Sequence, residues 1–295
     1  MDYEDAGEWW QVTGKALLRI DNISKNFGGL KAVADFTLDV MEGSITSLIG
    51  PNGAGKTTVF NLVTGIYSPD TGQVVFDGKN ITGIQPHAVV EAGIARTFQT
   101  LRLFENLTCF ENVVSGQHCR CRSGVIACLL NTKSRREEDA RAFNFAEECM
   151  RLMGIWEFRD ELAKNLSYGD RRRLEIARAL ASRPKLLILD EPAGGLNENE
   201  SDELMDKIRQ IRDSGITVFL IEHDMHVVMG ISDVVAVMEY GRKIAEGTPE
   251  EVQRNPDVIE AYLGSEEDEE LLATLKEGAM EEVTQEAAQE AGEAV

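Results

Sequence analysis

The chain predicts an α/β fold, a parallel sheet interrupted by a helical insertion, on three observations. The β-rich stretch SITSLI (44–49) runs directly into a glycine-rich turn and then a helical pattern. The apolar runs KLLILD (185–190), ITVFLI (216–221) and DVVAVME (233–239) are joined by helix-length segments; that alternation calls for parallel strands with crossover helices. Between about residues 100 and 165 strand signals vanish and helical spacing replaces them.

In chain order, residues 1–14 read as a flexible acidic arm carrying Trp9 and Trp10. LLRI (17–20), FTLDV (36–40), SITSLI and QVVFDG (73–78) are short strand-like segments, parted by turns such as FGG (27–29) and DGK (77–79). A helix is expected from near Lys56 to Gly65, with Leu62 and Val63 inside it. In the stretch 133–155, Ala140, Phe143, Ala146, Met150 and Met153 recur at helical spacing and predict one buried face. Leu174, Ala177 and Leu180 mark the same face on a later helix. The tail 265–295 is rich in Glu and Ala and reads as a solvated helix or a disordered tail. No internal repeat is visible.

Composition narrows the partners. The net charge is -21, and the tail, with eleven acidic residues against Lys276 alone, carries ten of those charges. So acidic a chain lacks the basic surface that nucleic acid requires, and no nucleic-acid partner is expected. No apolar run approaches the roughly 18–20 residues that span a bilayer. The opening MDYEDAGEWW lacks the basic start and apolar stretch of a secretory signal. A cytoplasmic chain is therefore expected, reaching a membrane only through a partner or a surface contact. Among five cysteines, Cys119, Cys121 and Cys128 lie close together at no zinc-binding spacing and read as reduced thiols. The segment 116–136 has five Lys or Arg residues, no acid and the string GVIACLL; lipid headgroups, a membrane subunit or plain solvent are all open as its surroundings.

Three strings carry chemistry. In GPNGAGKTT (50–58), Gly50, Gly53 and Gly55 let the backbone turn tightly, so that successive N–H groups of the loop, which also holds Pro51, Asn52 and Ala54, converge on one anion. Lys56 brings a positive charge to the terminal phosphates, the Thr57 hydroxyl is placed for Mg2+, and the helix opening at Lys56, Thr57 and Thr58 adds its positive end. Asp190 and Glu191 close an apolar strand, where open α/β sheets bind ligands. Asp190 is expected to hold Mg2+ through water and Glu191 to polarise an attacking water. Ser167 and Gly169 open a helix upstream of that strand, with Ser167 placed both to cap it and to offer its hydroxyl to a phosphate.

Together these strings resemble the nucleotide-binding subunit of an ABC transporter, over roughly residues 16–264. Residues 50–57 match Walker A, residues 187–190 with Glu191 match Walker B and its catalytic glutamate, and LSYGD (166–170) matches the ABC signature. The resemblance implies an ABC ATPase fold: a RecA-like parallel-sheet core, an antiparallel β subdomain and an inserted helical subdomain. It implies Gln99, in ARTFQ, as the Q-loop glutamine near Mg2+ and the attacking water, and His223, in IEHDM, as the switch histidine at the γ-phosphate. Phe27, in KNFGGLKAV, falls where such proteins stack an aromatic on adenine, and residues 193–197 fall in the D-loop. The expected divisions are an arm (1–14), the antiparallel β subdomain with the first part of the core (15–98), the helical subdomain with the signature (99–171), the rest of the core (172–264) and the acidic tail (265–295).

Two departures stand out. Tyr168 and Asp170 replace the glycine and glutamine of the commonest signature, and Asn197 replaces an aspartate in the D-loop. The strings ARTFQTLRLFENLTCFENV, LSYGDRRRLEIARAL, DEPAGGLN, LIEHDMHVVMGISD and GTPEEVQRNPDVIEAYLG resemble, more narrowly, the ATP-binding subunit of branched-chain amino-acid import systems. That resemblance implies ATP and Mg2+ as cofactors, and a head-to-tail homodimer or a heterodimer with a sibling ABC ATPase, in which Lys56 of one subunit and Ser167 of the other clamp one ATP. It implies transmembrane permease subunits, a solute-binding protein as an indirect partner, and a place at the cytoplasmic face of the cell membrane. The competing readings are an exporter's motor, such as one for lipopolysaccharide, and a soluble non-transport ABC ATPase, which would be expected to carry a second cassette or a long coiled coil. A regulatory protein that holds ATP without turnover is a further reading, against which Glu191 and His223 argue.

Overall fold

The computed structural model of the chain describes residues 14–120 and 133–263. Trp9 and Trp10 of the arm, the GVIACLL string with Cys121 and Cys128, and the tail 265–295 lie outside the described residues. The first half runs β1 (Ala16–Phe27), β2 (Leu30–Met41), β3 (Ile45–Ile49), α1 (Lys56–Val63), β4 (Thr71–Phe76), β5 (Lys79–Asn80), α2 (Pro86–Ala92) and β6 (Ile94–Arg96). Three helices follow, α3 (Cys109–Ser115), α4 (Lys133–Leu152) and α5 (Tyr168–Ala181). The remainder runs β7 (Leu186–Asp190), α6 (Glu198–Asp213), β8 (Thr217–Ile221), α7 (Met225–Ile231), β9 (Val234–Glu239), β10 (Arg242–Gly247), α8 (Pro249–Arg254) and α9 (Pro256–Leu263).

The central sheet has the order β10-β9-β3-β8-β7-β6, parallel throughout except for β10. Every residue of β3, β7 and β8 is buried, as happens when a parallel sheet is covered on both faces. Alternate side chains serve the two faces. Leu187 and Leu189 join a core with Val113, Met150, Leu174 and Ala177, so the helices α3–α5 cover that side. Leu186 and Ile188 join a core with Leu18, Phe36, Val59 and Phe60, so α1 and the antiparallel sheet cover the other. Parallel pairing brings the carboxyl ends of β3, β8 and β7 to one edge, and there the glycine turn, the His223 segment and the Asp190–Glu191 pair all emerge.

The second sheet, β2-β1-β4-β5, is antiparallel. Its β4–β5 turn places Asp77 at φ 47 and Gly78 at φ 75, the left-handed pair that a tight type I′ hairpin demands. It meets the central sheet beside the glycine turn. Ala34 N–H donates to the Gly241 carbonyl at 2.8 Å, and Gly241 N–H donates to the Ala54 carbonyl at 2.9 Å.

The structure departs from the sequence pattern in three places. β1 runs far beyond LLRI because register shifts and a left-handed Asn22 (φ 47) let pairing continue past an irregular middle. β6, β10 and α2 had no clear signal: β6 is three residues at a sheet edge, and β10 carries Arg242, Lys243 and Glu246 on an incompletely buried edge. On α4 the buried face is Ala146, Cys149 and Met150, continuing to Met153, whereas Ala140 and Phe143 are exposed. Phe143 meets the Phe110 ring, centroids 5.6 Å apart, and leaves much of its own ring in solvent. Among the described residues no helix is long and apolar enough to cross a membrane.

Candidate active site

The turn between β3 and α1 requires glycine for two separate reasons. Gly50, Gly53 and Gly55 have φ of 146, 79 and 106, values that L side chains rarely adopt. A Cβ on Gly50 would also stand 2.0 Å from the Met238 carbonyl oxygen, and one on Gly55 2.5 Å from that of Ala32. The loop is thus pressed against β9 and β2, and its curvature is set by that contact. Lys56 folds back over it, its buried ammonium donating to the Gly50 carbonyl and, at 3.1 Å, to the Pro51 carbonyl. No side chain caps α1, so its first N–H groups are left for an anion.

This loop forms one wall of a cavity of ≈ 570 Å³, whose other walls include Phe27, Lys31, Gln99, Glu191 and Tyr240. A cavity of ≈ 640 Å³ beside α4 and α5, lined by Arg141, Phe145, Cys149 and Arg183 among others, is larger but contains none of the motif residues. Residues singled out in the sequence gather at the smaller one. In it Gln99 Nε2 donates to Glu191 Oε2 at 2.7 Å. Glu191 has φ 47 and is anchored by its N–H to the Ile221 carbonyl at 2.9 Å. This left-handed kink ends the strand and turns the carboxylate toward the cavity. Phe27 is 42% exposed, and its ring meets the edge of Tyr67 at 5.1 Å.

Asp190 is placed differently. It is buried, and its Oδ2 accepts from Arg96 Nη2 at 2.7 Å. Arg96 also donates to Asn61 Oδ1 (2.7 Å) and Thr64 Oγ1 (3.2 Å), at the end of the helix that leaves the glycine turn, and lies near the Phe60 and Phe98 rings. The sequence pattern had not singled out Arg96, because its partners lie far away in the chain. Glu222, next to His223, likewise carries no sequence signal of its own. It is fully buried, with Oε1 accepting Ala193 N–H at 2.8 Å and Oε2 accepting His223 N–H at 3.1 Å. Burial pushes its carboxyl up. His223 itself is exposed, its Nδ1 3.8 Å from Glu222 Oε2, and does not line the cavity.

Ser167 caps α5, its Oγ accepting Asp170 N–H at 3.2 Å and donating to Asp170 Oδ2 at 2.7 Å. Gly169 is buried, and Tyr168 sits against Gly195. Neither Ser167 nor Gly169 lines the cavity of the glycine turn. What joins α5 to that cavity is Arg172, almost wholly buried. It donates to the Phe98 carbonyl (3.0 Å) and the Gln99 carbonyl (3.2 Å) and pairs with Glu175 at 3.1 Å. Glu175 in turn accepts Arg102 N–H at 3.2 Å, while burial pushes its carboxyl up.

The fold therefore brings Phe27, residues 52–58, Gln99 and Glu191 to one cavity. It keeps Asp190 on Arg96, and it holds His223, Ser167 and Gly169 outside the lining. A converging set of backbone N–H groups, one buried lysine and one kinked carboxylate bonded to a glutamine is suited to binding a nucleotide polyphosphate and directing water at it.

Comparison with known proteins agrees. The ABC transporter family model matches residues 33–194, and the model of the branched-chain amino acid ATP-binding cassette transporter matches residues 242–268. The chain is similar to the high-affinity branched-chain amino acid transport ATP-binding protein BraF of Pseudomonas aeruginosa, 44% identical over 85% of this chain and 98% of that one. It is likewise similar to LivG of Escherichia coli, of the same description, 45% identical over 84% of this chain and 98% of that one. Among solved structures it resembles a nucleotide-free ATP-binding cassette from an ABC transporter, with TM-score 0.74 and 32% identity over 84% of this chain and 99% of the other. An ABC transporter cassette solved in its ADP conformation gives TM-score 0.73 at the same identity and coverage.

Proposed function

This chain belongs to the ABC transporter ATP-binding proteins of branched-chain amino-acid transport type, and on that premise we propose that it is the ATPase subunit of an importer of branched-chain or similar amino acids. It hydrolyses ATP at a dimer interface and drives uptake through transmembrane permease subunits, with a solute-binding protein as an indirect partner. The observation that carries the reading is the single cavity shared by the glycine turn, Gln99 and Glu191. The exporter and soluble-ATPase readings lose ground to the match over residues 242–268 and to relatives named for branched-chain amino-acid transport.

ATP binds with its phosphates against the N–H groups of residues 50–58 and its adenine against Phe27. Lys56 then exchanges the Gly50 and Pro51 carbonyls for phosphate oxygens. Glu191 takes a proton from water, help of the kind worth about 10²–10⁴ in rate, or roughly 3–5 kcal/mol of barrier. Gln99 orients that carboxylate through its amide N–H, and its amide oxygen is the end that would meet a cation. Mg2+ would be held by the Thr57 hydroxyl and the Gln99 amide oxygen at the cavity wall, with Asp190, fixed on Arg96, reaching it through water; such oxygen donors suit that ion. Bound there, Mg2+ would neutralise charge developing on the phosphates. His223 acts at the γ-phosphate once the neighbouring segment moves inward.

The position of Ser167 and Gly169 outside the cavity supports a clamp in which a second chain supplies them, either another copy with two-fold symmetry or a sibling ATPase. Residues 15–98 and 172–264 then serve as the nucleotide-binding core, and residues 99–171 as the helical unit that moves the permease. Such an assembly puts the chain at the cytoplasmic face of the membrane. The test is reconstitution with the permease subunits and solute-binding protein in vesicles, reading phosphate release against a panel of solutes. Stimulation by leucine, isoleucine or valine is the expected result; stimulation only by an unrelated solute overturns the substrate class.

A further inference from the structure

We infer that Asp170 is a built-in competitor for the Ser167 hydroxyl, so that its carboxylate raises the ATP concentration needed to close two chains on a nucleotide. The inference deepens the clamp reading above and rests on it. Ser167 has a single hydroxyl hydrogen, and it is given to Asp170 Oδ2 at 2.7 Å. Ser167 Oγ also accepts the Asp170 N–H at 3.2 Å, so the serine side chain is engaged as donor and as acceptor by one residue. A phosphate oxygen arriving at this helix start needs that hydrogen and finds an anion already holding it.

Charge acts in the same direction. The first turn of α5 favours a negative group through its unpaired N–H ends, and Asp170 supplies one from within the chain. A second carboxylate lies close by: a Cβ built on Gly169 would stand 3.2 Å from Glu200 Oε1. Compensation is incomplete. Arg173 Nη2 is 3.7 Å from Asp170 Oδ1, but the same group is nearer to Glu203, at 3.2 Å. A neutral amide, as in the commonest signature, would remove one full charge from the face offered to the γ-phosphate and weaken the hold on the serine hydrogen, since an amide oxygen is a poorer acceptor than a carboxylate. Asp170→Asn makes that change at constant size and leaves the Ser167 cap in place.

The experiment uses the full chain carrying Glu191→Gln, with light scattering to follow association as Mg·ATP is raised. Asp170→Asn is expected to lower the ATP midpoint for association about tenfold, and Asp170→Glu to stay near the parent. The gap between Asp and Asn should shrink as salt is added, because a charge that is partly in contact with solvent is screened in part; a merely structural effect would not respond in this way. A midpoint that is unchanged or higher in Asp170→Asn overturns the inference. So does failure of both the parent and Asp170→Asn to associate at any ATP concentration. Ser167→Arg separates the two levels. If it abolishes association while Asp170→Asn shifts nothing, the clamp stands and the Asp170 inference falls. If it leaves association intact, the clamp reading itself falls.

Discussion

Asp190 leaves β7 with its carboxylate already bonded to Arg96, and both side chains are more than nine-tenths buried. Removing one member of such a pair strands a charge in a low-dielectric interior, which costs about 3–5 kcal/mol. Arg96→Met should lower the free energy of unfolding by that amount in urea titrations. Arg96→Lys should cost less, since it keeps the charge and loses the planar fork that reaches Asn61 and Thr64 together. Equal losses in the two variants would show that the charge is immaterial there. Glu191 sits at the opposite extreme, on a kinked backbone at the cavity wall with its carboxylate held by Gln99. Glu191→Gln should retain ATP binding and lower kcat by about 10²–10⁴, as read by phosphate release; turnover equal to the parent would reject the assigned base.

Helix ends carry much of the local order. Asn197 opens α6 with a reciprocal capping box, its side chain accepting Glu200 N–H at 3.0 Å while Glu200 Oε2 accepts Asn197 N–H at 3.1 Å. An asparagine therefore supplies the same helix cap that an aspartate would supply at this place. Asn197→Ala should lower stability by about 1 kcal/mol and Asn197→Asp by much less, compared by denaturant midpoints. Between α6 and α7 the His226 ring meets Asp202 at 2.8 Å, and that hydrogen bond raises the imidazole above its ordinary value. A histidine raised on folding contributes fully below its unfolded pKa and loses that contribution as pH rises through the folded value. The thermal midpoint of Asp202→Asn should fall below that of the parent near pH 6 and converge with it by about pH 9. A difference that persists at the higher pH would assign the effect to packing instead.

Across the whole molecule, two layers flank one sheet, and side chains of the helical layer reach the segment that borders the candidate site. Arg172 and Glu175 of α5 reach out of the helical layer and bind the backbone at Phe98, Gln99 and Arg102, the segment that carries the glutamine bonded to Glu191. These bonds tie α5 to the segment whose glutamine holds Glu191, the proposed base. Arg172→Met leaves two carbonyls without that donor and a buried carboxylate without its arginine. It should speed amide hydrogen exchange selectively around residues 98–102, with β3 and β8 unaffected. Uniform exchange over the whole chain would instead mean that the pair only stabilises the fold.

What could be read from the chain unaided was whatever is encoded among neighbouring residues. The glycine turn, the apolar strand ending in two acids, the serine-led helix and the parallel alternation each depend on backbone geometry or periodicity over a few consecutive positions. Those signals pointed to residues 50–58, Glu191 and Ser167 and to the α/β class, whereas Gln99 was implied only by the family resemblance of ARTFQ. Other features arise between segments that only folding brings together. Arg96 reaches Asp190 across 94 positions, and Glu222 reaches Ala193 across 29. Phe143 kept its helical spacing and still came out exposed, because burial depends on what covers a face as well as on the face itself. The destination of the Ser167 hydrogen was likewise decided by a rotamer and a distance, which no pattern of residue types contains.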